Sequence, residues 1–280
     1  MILKERASTH VYRQKRMFTK EELEAREHLC VHEQPAYCSA ACPLKLDAKA
    51  LTQAIAQGNF DKALGLYEKI TPLPHILSAL CEAPCEGKCK LCSLGEGIAL
   101  RELEAAAVRF GSRGKGRGLL RKKTKTVAIF GADLFTLFLA GELSKKMYPV
   151  TFYLPQSDAE ALLTQVLPKV PKRAETDVSG LDVRFLWNAD PERCFRQEAE
   201  QYDLVCASFD VFRALFPEDH AEEALMVCRE RNLITGPWQG TLGAAFAAKK
   251  AALSADRMAQ KLDPANTRGQ EGSVETKLYT

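Results

Sequence analysis

No run of about 18 apolar residues occurs anywhere in the sequence, so no helix is expected to span a bilayer. The opening stretch, MILKERASTHVYRQKRMFTKEE, lacks the apolar segment of a secretory signal, which gives a cytoplasmic location as the expectation. There thiols stay reduced, and clustered cysteines more often bind metal than pair as disulfides. The chain also has little excess charge: a net +3 is too small to argue for nucleic acid as a partner. It has no need of covalent staples either. A chain of 280 residues that is 46% apolar can bury a large core by itself, most simply as two domains.

What is present is an uneven distribution of cysteine. Seven of the ten, Cys30, Cys38, Cys42, Cys81, Cys85, Cys89 and Cys92, lie between residues 30 and 92, four of them in the run CEAPCEGKCKLC. Cys194, Cys206 and Cys228 are scattered among apolar neighbours and read as small core residues. Between the two cysteine groups, Asp47 is placed to cap a helix with Leu51, Ala54 and Ile55 on one face. Gly58-Asn59 then breaks the chain, and Phe60, Ala63, Leu64, Tyr67 and Ile70 form a second apolar stripe that Pro72 ends. Such a helical hairpin would return the Cys42 end to the Cys81 end. A further helix over IALRELEAAAVRF aims Glu104 along the face of Leu100 and Ala107. Cys89-x-x-Cys92 is half of a zinc ribbon, but ribbons pair two such knuckles about 15 to 20 residues apart. An iron-sulfur centre fits the long helical insertion better, and Cys42-Pro43 matches the proline that often follows a cluster ligand.

The segment from Cys30 to Glu104 resembles the N-terminal iron-sulfur domain of the glutamate synthase small subunit and of dihydropyrimidine dehydrogenase. The resemblance rests on Cys38-x3-Cys42-Pro43, the Gly58-Asn59-Phe60-x-x-Ala63-Leu64 turn, the Cys81-x3-Cys85 pair and Leu103-Glu104 on the closing helix. It implies a helical domain binding two 4Fe-4S clusters. One would be held by Cys42, Cys81, Cys85 and Glu104. The other would be held by Cys30, Cys38 and Cys89, with Cys92 supplying the thiolate that the family takes from a further cysteine upstream of Cys38. His32 and His75 match no ligand position and read as ordinary residues.

Residues 111 to 126, GSRGKGRGLLRKKTKT, have seven basic residues and no acidic one, and read as a solvated linker. Beyond it, a strand over Thr126 to Phe130, a helix over Leu134 to Lys146 and a strand over Val150 to Leu154 form a βαβ opening of the dinucleotide-binding kind, where the family has an FAD domain. The glycines that this turn needs are nearly gone. Gly131 remains, but Asp133 and Thr136 stand at the other two positions, and Asp133 would repel a diphosphate at the helix N-terminus. The ribose-binding acid after the second strand is replaced by Leu154-Pro155-Gln156, an Ala-x-Gly turn by Ala207-Ser208-Phe209, and a C-terminal Gly-Asp pair by Arg229-Glu230-Arg231. The pyridine nucleotide domain of the family is missing altogether.

The expected architecture is therefore an α-helical iron-sulfur domain (1–110), a basic linker (111–126), a shortened α/β Rossmann-like domain (127–262) and a polar tail (263–280) that lies against a partner. The expected function is non-catalytic electron transfer through two 4Fe-4S clusters within a larger oxidoreductase, next to redox subunits of flavin, iron-sulfur or molybdenum type, without FAD or NADPH. The alternatives are a small flavoenzyme holding FAD through Thr235, Gly236 and Pro237, and a zinc-binding scaffold without redox chemistry.

Overall fold

A computed structural model describes Thr19, Glu21 and residues 36–93, 95–112, 121–217, 226–228, 233–235 and 240–260. Cys30, Arg229-Glu230-Arg231, Gly236, Pro237, residues 113–120 of the basic linker and the tail from 263 lie outside the described residues.

The N-terminal part is helical: α1 (Tyr37–Ala41), α2 (Ala48–Ala56), α3 (Phe60–Ile70), α4 (Pro74–Leu80) and α5 (Leu100–Phe110). The hairpin of α2 and α3 forms through local chemistry. Asp47 caps α2 by accepting from the Ala50 N–H at 2.9 Å, and Asn59 caps α3 through the Lys62 N–H at 3.0 Å. Between them Gly58 takes φ +71, a conformation that suits glycine. Leu51, Ala54, Ala63, Leu64 and Tyr67 are buried together with Ala107 and Val108 of α5.

The C-terminal part is a six-stranded sheet in the order β3-β2-β1-β4-β6-β5. Its strands are β1 (Val127–Phe130), β2 (Val150–Tyr153), β3 (Val183–Leu186), β4 (Leu204–Ala207), β5 (Met226–Cys228) and β6 (Leu233–Thr235). All neighbours are parallel except the β5–β6 hairpin at one edge, and Val127 stands opposite both Val150 and Leu204. The helices are α6 (Leu134–Lys145), α7 (Ala159–Val166), α8 (Ala174–Ser179), α9 (Pro191–Glu198), α10 (Phe209–Leu215) and α11 (Gly240–Ala259). Alternation along β1 sends Val127 and Ile129 toward α6 and α11, and Ala128 and Phe130 toward α9 and α10. On the second face Phe130 stacks on Tyr153 at 4.6 Å and meets Phe195 edge-on. The fold is thus a doubly wound, Rossmann-like sheet whose strand order reverses between β1 and β4. Cys206 is buried in β4, and Cys194 is half-buried beside the α9–α10 face.

One hydrophobic core runs through both parts. Every residue of α6 from Leu134 to Ser144 is buried, because the sheet, α11 and the helical part each cover a side. Gly141 allows the last of these contacts, since a Cβ there would lie 2.6 Å from Pro72 Cβ. Helix ends are capped across the seam. Lys145 Nζ donates to the Glu68 and Lys69 carbonyls at the end of α3, and Asp177 accepts from the Ile76 N–H at 3.0 Å and pairs with His75 at 2.7 Å.

The linker joins this scheme at its C-terminal end. Lys122 pairs with Asp182 at 2.8 Å, Lys125 with Asp203 at 2.6 Å, and Lys123 with Asp256. Asp256 also accepts from Lys146 at 2.7 Å and the Tyr148 hydroxyl at 2.6 Å. Burial works to raise its pKa, but these donors outweigh burial and hold the carboxyl below the usual aspartate range. A depressed folded-state pKa contributes stability that is present above the unfolded value and is lost as pH falls through the folded one. Asp256→Asn should therefore destabilise the fold by about 2–4 kcal/mol at neutral pH. Urea unfolding should show that difference shrinking as pH is lowered below the ordinary aspartate value of 3.8.

Candidate metal centre

The cysteines are set at helix ends, where the chain turns and brings them together. Cys42 is the C-cap of α1, followed by a tight turn in which the Lys45 N–H donates to its carbonyl at 3.0 Å. Cys81 is the C-cap of α4, and Cys85 and Cys89 flank the short 3-10 turn Glu86–Lys88. Cys92 lies in a second such turn, Lys90–Ser93. Glu104 enters from α5 on the same buried face as Leu100 and Ala107.

Cys42, Cys81, Cys85 and Glu104 are all buried, and each of the three thiols is pushed up by its own burial and by the charge of Glu104. For Cys81 the result is about 12, with Cys42 and Cys85 adding to the shift, and for Cys85 about 11. Glu104 is only 5% exposed, and burial raises its carboxyl to about 7 even though the Tyr67 hydroxyl donates to it at 3.1 Å. These four groups form one constellation. Cys89 and Cys92 form a second with Gly97 packed between them: a Cβ on Gly97 would sit 2.6 Å from Cys92 Sγ and 3.5 Å from Cys89 Sγ. Cys38, partly buried on α1, packs with Ala83, Ile98 and Leu103 against Ala48, Cys85 and Leu100.

The donor set fits an iron-sulfur group. Buried acids that oppose each other's ionisation call for positive charge among them, and thiolate binding to iron supplies it. Backbone N–H groups also point at sulfur, from Ala83 to Cys81 Sγ at 3.4 Å and from Ile98 to Cys89 Sγ at 3.5 Å. Among the described residues, no three His, Cys, Asp or Glu side chains gather closely enough to share a single metal ion. Tyr67, Ala83 and Gly97 were not legible as parts of a site: the first reads as a member of an apolar stripe, and the other two contribute only backbone.

The first βα turn is arranged differently from a nucleotide site. Asp133 caps α6 by accepting from the Thr136 N–H at 2.7 Å, while the Thr136 hydroxyl accepts from the Asp133 N–H at 2.9 Å, a closed capping box. The second Asp133 oxygen accepts from the Phe209 N–H at 3.3 Å. Gly131, at φ +85, is in close contact with Ser208 and Val211. The helix end that binds diphosphate in dinucleotide folds is here occupied by the chain's own carboxylate.

The profile of the family described as dihydropyrimidine dehydrogenase domain II, 4Fe-4S cluster, matches residues 7–113. That segment is similar to the family and contains all seven clustered cysteines and Glu104. Among named proteins, the chain is similar to the NADPH-Fe(3+) oxidoreductase subunit beta of Geobacter sulfurreducens, 27% identical over 51% of this chain and 22% of the relative. It is similar also to the NADP(+)-dependent formate dehydrogenase subunit beta of Moorella thermoacetica, 31% identical over 36% of this chain and 13% of the relative. The glutamate synthase [NADPH] small chain of Bacillus subtilis is 25% identical over 47% of this chain and 27% of the relative. The matched segments thus span about a quarter or less of these relatives' length.

Gly97 gives a direct test of the second constellation. Gly97→Ala should displace Cys92 and lower the iron retained per chain, whereas Gly87→Ala, which meets nothing within 4 Å, should leave it unchanged. Iron determination on anaerobically purified variants measures both.

Proposed function

We propose that the chain is an electron-transfer subunit of a larger oxidoreductase, relaying electrons through two 4Fe-4S clusters. Cys42, Cys81, Cys85 and Glu104 would hold one cluster, and Cys30, Cys38, Cys89 and Cys92 the other. The observation that carries this reading is the match of residues 7–113 to a 4Fe-4S domain family, together with a buried thiol-carboxylate set inside that segment. The relatives' names, an oxidoreductase subunit, a dehydrogenase subunit and a glutamate synthase chain, support a role beside other redox subunits, which in this proposal are of flavin, iron-sulfur or molybdenum type. Among the described residues no helix is long and apolar enough to cross a membrane, in keeping with a cytoplasmic complex.

When bound, a 4Fe-4S cluster takes up and releases single electrons, with a potential set by its ligands, hydrogen bonds and exposure. The chain's residues determine those settings. Glu104 would contribute an anionic oxygen in place of a fourth thiolate, and the Tyr67 hydroxyl, which donates to it, orients the carboxylate. Burial of Cys42, Cys81 and Cys85 excludes water from that side, whereas Cys92 is exposed and gives the other constellation a path to a partner's surface. No acid, base or nucleophile is required.

The α/β unit serves in this reading as a docking body without FAD. The Asp133 capping box and the loss of the glycines support that, because the helix end is already satisfied and carries negative charge where a diphosphate would have to lie. The short connection between β4 and α11 leaves no segment of the size of a pyridine nucleotide domain, which supports the absence of NADPH.

Anaerobically purified protein should contain about eight iron and about eight acid-labile sulfide per chain. Cys92→Ser should bring iron to about half of that. A wild-type value near half would remove the cluster at Cys30, Cys38, Cys89 and Cys92 from the proposal. Visible absorption bleached by dithionite is expected, with no flavin released on denaturation. Asp133→Gly with Thr136→Gly should not by itself confer flavin binding, and stoichiometric FAD in the wild type would overturn the docking role.

A further inference from the structure

Glu82 lies between Cys81 and Cys85, yet its carboxylate is engaged far away in sequence. One oxygen accepts from the Thr241 N–H at 2.6 Å and the other from the Leu242 N–H at 3.0 Å, so both oxygens cap the first turn of α11. Gly240, at φ +65, permits this approach, since a Cβ there would run into Glu82 Oε1. The next residue along the cysteine loop is Ala83, at φ +50, where a side chain is disfavoured and where the following Pro84 pushes the backbone toward extended conformations. In this strained conformation the Ala83 N–H donates to Cys81 Sγ at 3.4 Å.

These observations form one chain of cause. An αL alanine before proline persists only where its surroundings over-determine it. Glu82, anchored at both oxygens to α11, fixes the loop on one side, and the buried Cys85 fixes it on the other. We infer that Glu82 is a positioning residue for the cluster: by clamping the Cys81 loop to α11 it holds the Ala83 N–H on Cys81 Sγ. The inference rests on the ligation of Cys81 put forward above. A hydrogen bond to a ligand sulfur stabilises the more negative, reduced state and so raises the potential. The α/β unit thereby acts on the electron affinity of a centre to which it contributes no ligand.

The test separates geometry from charge. Glu82→Asp keeps the negative charge but is one methylene too short to reach both amides, and Gly240→Ala disturbs the clamp from its far side without altering any charge. In anaerobic holoprotein, both should shift the EPR-monitored midpoint potential to a more negative value at unchanged iron content, with faster hydrogen exchange at Thr241 and Leu242. Ala83→Gly added to Glu82→Asp should return the potential toward the wild-type value, because glycine adopts φ +50 without being held there. A simple charge effect predicts no shift in either single variant. Should Gly240→Ala fail to fold, Glu82→Asp and its glycine rescue decide the matter. Unmoved potentials with lost amide protection overturn the clamp alone, provided that Cys81→Ser loses iron. If Cys81→Ser keeps full iron and potential, the ligation is wrong and the clamp falls with it.

Discussion

A helix buried on every side cannot belong to one half of a protein. From Leu134 to Ser144, α6 gives one side to the sheet, one to the alanine-rich face of α11 and one to the helical part, with Gly141 lying directly on Pro72. If the helical part were removed, α6 would expose apolar surface that no other element among the described residues covers. The two compositionally distinct stretches of sequence therefore share a single core. This dependence fixes where the cysteine loops stand relative to the sheet.

The seam is reinforced by charge at helix ends. The open ends of α4 and α11 receive carboxylates from Asp177 and Glu82, and the end of α3 receives the ammonium of Lys145, each from the opposite part of the chain. Each sign matches the helix dipole. A dinucleotide fold ordinarily keeps such amides open for phosphate. Here the α6 amides are taken by Asp133 and those of α11 by Glu82, so the same electrostatics that would bind a ligand bind the protein to itself.

The helical hairpin and the βαβ opening were legible because their signals are local. Asp47 and Asn59 announce caps, the apolar stripes have a single period, and β1 and β2 are short apolar runs around a long apolar helix. The short helices α4, α7 and α8 were not, since each is too short to show a full apolar period, and α4 takes its cap from Asp177, 101 residues away. Lys122, Lys123 and Lys125 read as a solvated charge run because their aspartate partners lie 60, 133 and 78 residues away. At the candidate centre, residue types and spacing pointed to Cys42, Cys81, Cys85 and Glu104, each of which is buried in the structure. Tyr67 was hidden in plain sequence. Its ring belongs to the core stripe, and only its hydroxyl, reaching Glu104 on another helix, belongs to the site.

The bond from Glu82 to Thr241 spans 159 residues, which gives it a meaning in time as well as in space. At a synthesis rate of roughly 5–20 residues per second, α11 emerges about 8 to 30 s after the cysteine loop that it will hold. For that interval the loop bearing Cys81 and Cys85 is made but unsealed. The clamp on the Cys81 loop can therefore form only after the chain has grown by those further residues, when the Thr241 and Leu242 amides become available to Glu82.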